Sequence, residues 1–269
     1  MYNVIVKYLE TKSRKIIWSN LIANNTLFCS SKRGFKLIKL SKLRISTWLF
    51  IVTLISMLGY LGYFGYWYLQ GSPKFHGQLM LLIEVAVGIG IAVLPFLIEK
   101  LGRFYFPQVE LIFFYIFLYM SIFLGSGLQF YSILFWDKYE HVLSAMMLAG
   151  LGFSIFQGLL DSRQNSRTQP FLVSLFAFTF GATCGVFWEM YEFTADGLGG
   201  LNLQRYEQAG RMLVGRAVLM DTMTDLIADL IGAFLMALIG YLMMKNNPNS
   251  GRYLVFKSKR QNIFSSLYF

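Results

Sequence analysis

The chain has 269 residues, of which 56% are hydrophobic and 14% are charged, and its formal net charge is +10. Soluble domains carry close to a quarter charged residues, so this composition excludes an ordinary soluble domain and favours a membrane protein. The basic charge does not call for nucleic acid, because attraction to anionic lipid headgroups explains it with fewer assumptions.

Six apolar segments are long enough to cross the hydrocarbon core of a bilayer at 1.5 Å per residue. We predict that all six are α-helices, since lipid offers no hydrogen-bonding partner to the backbone. The fold class is therefore all-α, with six transmembrane helices. In chain order the predicted spans are 47–70, 78–98, 109–127, 139–160, 171–193 and 220–244.

Lysine and arginine predict the orientation, because positive residues in short loops remain cytoplasmic. Of the 24 lysine and arginine residues, nineteen lie in residues 1–45, in the second and fourth loops and in residues 245–269. The other three loops share five. We therefore predict a basic cytoplasmic N-terminal segment (1–45), a membrane domain (46–244) and a basic cytoplasmic tail (245–269). The N-terminal segment is expected to bind anionic lipids of the inner leaflet.

The fifth loop, residues 194–219, is the one sizeable segment predicted outside the cell. Its first part, ADGLGGLNLQ, is typical of turns, and RYEQAGRMLVGRAV is expected to form a short surface helix. Small residues spaced by four, at Gly181 and Gly185 and at Ala228 and Gly232, favour close packing of the fifth and sixth helices.

Ionisable residues of the last three spans are predicted to lie at one depth, near the outer face. Asp137 and His141 begin the fourth helix on one side, four residues apart. The fifth helix ends near Glu189 and Glu192. The sixth begins with three aspartates on successive turns, and we expect all seven side chains to form a single site in the membrane domain, within residues 130–240. These aspartates are Asp221, Asp225 and Asp229.

Six carboxylates cannot all remain ionised in a poorly solvated place without cations. The neighbouring positive residues expected there are Lys138, Arg211 and Arg216, which are too few. A divalent ion (Mg, Mn, Fe, Ca or Zn) would restore the balance. The predicted metal ligands are Asp137, His141, Glu189, Asp225 and Asp229.

Some of these residues also have simpler interpretations. Asp137 and Asp221 are placed where helix N-caps occur. Glu192 is consistent with the water boundary, and Glu140 is expected to face solvent or Lys138. Glu84 is a lone acid in the second span, without a partner evident from the sequence.

Three motifs in order carry a resemblance: D-K-x-x-H at 137–141, W-E-x-x-E at 188–192 and D-T-M-x-D-x-x-x-D-x-x-G-A at 221–233. Together they resemble the YjdF-type bacterial membrane proteins, a family of unknown function, and are more distantly similar to VanZ-like proteins. The resemblance covers about residues 130–240 and implies a multi-pass protein of the bacterial cell membrane with an envelope-linked role. VanZ-like proteins commonly carry asparagine where Asp225 stands here, so this site is more acidic.

Three functions remain open at this point. The first is a metal-dependent enzyme acting on a lipid-linked or cell-envelope substrate, with Glu192 or Asp221 moving protons and Arg216 contacting a headgroup phosphate. The second is a cation or proton transporter, in which Glu84 and Asp229 bind the transported ion deeper in the membrane. The third is a non-catalytic membrane protein with a structural ion. No pattern in the sequence predicts the oligomeric state.

Overall fold

A computed structural model describes residues 44–159, 169–247 and 256–258. Within these residues six helices are long and apolar enough to cross a membrane, which confirms the predicted all-α class. Most of the predicted N-terminal segment (1–45), the loop that contains Arg163 and Arg167, and most of the tail (245–269) lie outside the described residues.

The helices begin and end within a few residues of the predicted bounds, except where the fifth runs further. In chain order the spanning helices are α1 (Ile45–Leu69), α2 (Gln78–Gly102), α3 (Gln108–Leu118), α4 (Trp136–Leu159), α5 (Pro170–Gly199) and α6 (Met220–Asn246). Four two-residue strands accompany them: β1 (Phe104–Tyr105), β2 (Glu207–Gln208), β3 (Arg211–Met212) and β4 (Lys257–Ser258). Strand β1 pairs with β4 and β2 with β3, both antiparallel.

Helix α3 continues as a π-helix, Tyr119–Gly127, which completes the third span. The Leu128 N–H donates to the carbonyl of Phe123 at 3.0 Å, five residues back, which is the hydrogen-bond spacing of a π-helix. This π-helix brings the Ser126 hydroxyl to within 2.6 Å of the Glu84 carboxylate on α2. Glu84 therefore has a partner that the sequence did not reveal.

The first three spans pack around large apolar side chains. Their buried residues are Met57, Tyr60, Val85, Ala92, Tyr115 and Leu118. The last three pack around a core in which half of the residues are alanine: Ala145, Ala149, Phe153, Val173, Ala177, Ala233, Met236 and Met244.

Glycines permit the close approach of α4, α5 and α6. A Cβ atom at Gly232 would overlap the carbonyl of Val142 on α4, and one at Gly181 would lie 3.1 Å from the carbonyl oxygen of Ala145. Gly185 lies against the Asp229 side chain. The small residues therefore bring α5 and α6 together, as expected, and also bring both against α4.

The segment between α5 and α6 differs from its prediction. Helix α5 does not end at Phe193 but continues for six residues to Gly199. The prediction of a short surface helix in RYEQAGRMLVGRAV is wrong. Strands β2 and β3 form a hairpin in this segment, and a 3-10 helix, Gly215–Leu219, follows it. Ala209 and Gly210, the two turn residues, have φ of 50° and 73°, as a type I′ turn requires.

Candidate functional site

The N-terminal turns of α4 and α6 meet the C-terminal part of α5 at one end of the helix bundle. This is the end that the positive-inside pattern assigns to the outside. Four of the predicted site residues are buried there within membrane-spanning helices, with relative exposures of 7% for His141, 5% for Glu189, 1% for Asp225 and 2% for Asp229. Asp137 and Asp221 lie nearer the surface and are partly exposed.

The imidazole of His141 lies between aspartates from two helices. Its Nδ1 is 3.2 Å from Asp229 Oδ1, and its Nε2 is 3.5 Å from Asp225 Oδ1 and 3.8 Å from Asp137 Oδ1. One ligand atom from each of Asp137, His141 and Asp225 lies within 4.8 Å of the other two. In the described residues Glu189 and Asp229 do not belong to this compact set, although the Asp229 carboxylate is 3.2 Å from Nδ1 and the Glu189 carboxylate interacts electrostatically with the ring.

Lys138 is the central cation of the cluster. Its Nζ atom is 2.6 Å from Asp225 Oδ1, 2.8 Å from Asp221 Oδ1 and 3.1 Å from Asp137 Oδ2. The sequence placed Lys138 near the site, but the bridging of three carboxylates by one ammonium group depends on how closely α4 and α6 approach.

Arg205 is a second cation, which the sequence did not predict. Its guanidinium nitrogens lie 3.4 Å from Asp137 Oδ2 and 3.7 Å from Asp221 Oδ1, and 40% of its side chain is exposed. Asp196, in the last turns of α5, positions this loop because its carboxylate accepts the backbone N–H groups of Leu203 and Gln204 at 2.7 and 2.9 Å. Spacing along the chain carries no signal for this contact.

The carboxylate of Glu189 is buried without well-aligned hydrogen-bond donors. Neither of its carboxylate oxygens has a hydrogen bond of good geometry. Gln204 and Thr222 lie beside it and are joined to each other by a hydrogen bond of 2.8 Å. A buried carboxylate whose neighbouring donors are poorly aligned is costly, so this carboxylate favours a cation or a polar ligand beside it. Glu192, one turn along, accepts a hydrogen bond of 3.0 Å from Trp188 Nε1.

Two of the predicted residues have different surroundings from those expected. Asp221 lies in the first turn of α6, whose N-cap position is Leu219, so it interacts with Lys138 and Arg205 instead of capping the helix. Arg216 is exposed in the 3-10 helix before α6, and among the described residues it forms no ion pair.

Glu140 was expected to face solvent or Lys138, and that prediction is wrong. Its side chain is buried, with 4% exposure, and accepts a hydrogen bond of 2.7 Å from the hydroxyl of Tyr131 in the loop before α4. Desolvation of that hydroxyl, with the Glu140 carboxylate beside it, raises the pKa of Tyr131, so the phenol stays protonated as the donor.

A further buried acid, Glu110 on α3, was not singled out by the sequence. Its carboxylate lies directly against Gly150 of α4, and Oε1 has no hydrogen bond. Gly150 follows His141 by nine residues, which is roughly 14 Å along the helix. Glu110 therefore lies apart from the cluster, toward the opposite end of the bundle.

The site as a whole has more negative than positive groups. Six carboxylates, those of Asp137, Glu189, Glu192, Asp221, Asp225 and Asp229, lie with two permanent cations, Lys138 and Arg205. A protonated His141 would add a third positive charge. Burial of such an excess of acids is unfavourable unless some are protonated or another cation binds.

The fold defines a polytopic helical membrane protein with a polar cluster buried among its last three helices. Comparison with known families gives the same class: residues 74–246 match the family described as predicted membrane protein (DUF2238), and the chain belongs to that family. An uncharacterized protein of Thermotoga maritima is 32% identical over 149 residues, covering 55% of this chain and 69% of the relative. No solved structure matches.

Proposed function

We propose that the chain is a metal-dependent membrane enzyme whose divalent ion binds to Asp137, His141 and Asp225 and whose substrate is a lipid-linked or cell-envelope molecule. The main support for this proposal is the position of the His141 ring. Asp229 lies at its Nδ1, and the carboxylates of Asp137 and Asp225 lie near its Nε2. This is the arrangement in which a carboxylate orients a histidine ligand for a metal ion.

The donor atoms fit a divalent ion. Ligands at about 2.0–2.2 Å from one ion lie about 3–3.5 Å from each other. The separations of 3.5 and 3.8 Å from His141 Nε2 to the two aspartates are close to that range. Lys138 contacts the same Asp225 oxygen, so the ammonium group and an ion compete for it.

The other residues have supporting roles in this proposal. Asp229 accepts the Nδ1 proton of His141 and fixes the tautomer that presents Nε2. Glu189 provides further negative charge beside the ring, or a fourth ligand. Glu192 and Asp221, nearer the surface, accept and return protons. When bound, the ion would supply Lewis-acid stabilisation of charge on a substrate oxygen.

Metal analysis of the detergent-purified full chain tests this function. After exposure to Mg, Mn, Fe, Ca or Zn and removal of free ions, we expect one ion per chain in the wild type and none in His141→Ala or Asp225→Asn. Asp229→Asn is expected to weaken binding by about 10–100-fold rather than abolish it, because it acts through His141.

Glu110→Gln is the matched control, since it neutralises a buried carboxylate that lies away from the cluster. It is expected to retain the ion. Equal metal content in the wild type and in both ligand variants would contradict the proposal, as would the same loss in Glu110→Gln.

Glu110 itself favours a second candidate, proton or cation transport. An acid buried toward the opposite end of the bundle provides an intermediate binding group for a proton or a cation between the cluster and the other membrane face. In proteoliposomes that contain a pH-sensitive dye, a transporter would dissipate an imposed proton gradient, and the Glu110→Gln variant would dissipate it more slowly. The enzyme proposal expects the wild type and Glu110→Gln to behave alike in this assay.

We propose a bacterial cytoplasmic-membrane location, with the site on the outer side. The Thermotoga relative and the basic residues at the chain ends support it. The motifs shared with YjdF-type and VanZ-like proteins support an envelope-linked role. Cysteine labelling of an introduced Gln208→Cys in intact cells, with the native Cys29 and Cys184 replaced by serine, tests the orientation.

A further inference from the structure

An apolar groove lies between α5 and α6, inside the membrane-spanning part. Its volume is about 360 Å³, and it is lined by Phe178, Ile227, Leu230, Ile231, Phe234 and Leu235. Ile227 to Leu235 covers roughly 12 Å of helix axis. No side chain that lines it is polar, so within a bilayer the matching occupant is a hydrocarbon chain.

The groove face of α6 continues to the end of the helix that carries the site. Met220 and Met223 precede Ile227 at the spacing of one helix face, and all three side chains are about half exposed. The aspartates at 221, 225 and 229 occupy the other side of α6, toward α4. A lipid lying along this face would therefore run beside the site, with α6 between its chain and the carboxylates.

Two arginines precede this end of α6 in the chain. Arg216 belongs to the 3-10 helix that leads into α6, and Arg211 belongs to β3. Both residues are exposed, and in the described part of the chain neither forms an ion pair, unlike Arg205. Met212 and Val214, near them in the chain, are 69% and 81% exposed, as suits a segment that contacts headgroups and acyl chains.

We infer that this surface binds an anionic phospholipid, with one acyl chain in the groove and the phosphate on Arg211 and Arg216. Charge-assisted hydrogen bonds from guanidinium groups to phosphate provide the charge complementarity, and the apolar groove provides the length. The inference goes beyond the proposed function, because α6 separates the acyl chain in the groove from the carboxylates of the site. The binding itself does not depend on the metal.

Native mass spectrometry of the detergent-purified full chain tests this site with two probes, dioleoyl phosphatidylglycerol and dioleoyl phosphatidylcholine. We expect one tightly retained phosphatidylglycerol. The double variant Arg211→Gln, Arg216→Gln should weaken its binding by about tenfold or more while phosphatidylcholine binding stays the same. Ile231→Trp, which fills the groove, should weaken the binding of both lipids.

Lys245→Gln and Leu58→Trp are the matched controls, since they change a cation at the other end of α6 and an exposed apolar residue on α1. Both should bind lipid like the wild type. Equal binding of the two lipids by the wild type would overturn the inference. So would displacement of the lipid by glycerol phosphate alone, or a dimer that Ile231→Trp dissociates, because the occupant would then be a soluble anion or a second copy.

Loss of lipid binding can be separated from loss of the metal. Asp225→Asn should retain phosphatidylglycerol although it loses the ion, and the double arginine variant should retain the ion although it loses the lipid. If the double variant loses the ion but keeps the lipid, the two sites have been misassigned.

Discussion

The two halves of the membrane domain bury different chemistry. Helices α1 to α3 enclose large side chains such as Tyr60, Met57 and Tyr115, whereas α4 to α6 enclose alanines, glycines and ionisable groups. Small residues bring helix backbones close together, and only close backbones allow short side chains such as aspartate to meet across helices. The alanine-rich core and the acidic site are therefore parts of one arrangement.

Removal of the central cation should have the largest effect on this contrast. Lys138→Met leaves three carboxylates without their shared ammonium group, and loss of one partner of a buried ion pair costs about 3–5 kcal/mol. We expect the free energy of unfolding of metal-free protein in detergent to fall by about that amount. An added divalent ion should recover much of the loss, because the ion no longer competes with the lysine.

Lys74→Met is the corresponding change in the other half. Lys74 lies over the Trp67 ring at 3.8 Å and is exposed, so its loss should cost about 1 kcal/mol or less. Similar losses in the two variants would show that the Lys138 contacts contribute no more than a surface interaction.

A pair of glycine substitutions gives the next largest difference. Gly232→Ala places a methyl group against the Val142 carbonyl, and overpacking of this kind costs about 1–3 kcal/mol. Gly62→Ala on α1 meets nothing within 4 Å and should be neutral or stabilising. Thermal unfolding of both variants in one detergent measures the difference. Equal midpoints would mean that α4 and α6 do not pack closely at Gly232.

The smallest effect is expected at Glu84, an acid of the first half. Ser126→Ala removes the hydrogen bond to Glu84, a loss of about 0.5–1.5 kcal/mol. Glu84→Gln retains a hydrogen-bonding partner for Ser126 and should cost less. If Ser126→Ala is as damaging as Lys138→Met, Glu84 belongs to a second polar site and the contrast between the halves fails.

The helices were predictable because a bilayer restricts the backbone so strongly. Length and hydropathy located all six spans, and the position of each predicted site residue along its helix followed from them. The direction of a side chain around the helix axis was harder to predict. Glu140 is adjacent to His141 in sequence but faces Tyr131, because successive helical residues point about 100° apart.

Loop contacts were beyond sequence reasoning for a different reason. Arg205 reaches Asp137 from 68 positions away along the chain, and its placement depends on backbone N–H groups bound to Asp196. The hairpin between β2 and β3 offered one weak signal, Gly210, whose left-handed φ of 73° suits a tight turn. Glu110 had a helical position but no neighbour in sequence to indicate its burial.

The three aspartates of α6 also constrain how the protein enters its membrane. Each carboxylate raises the cost of releasing this segment from the insertion machinery into lipid, and the segment has no lysine of its own among them. Lys138 and His141 on α4 are synthesised earlier and supply the missing counter-charges. The sixth segment should therefore insert stably only after the fourth is in place, and α6 fused alone to a reporter should insert poorly.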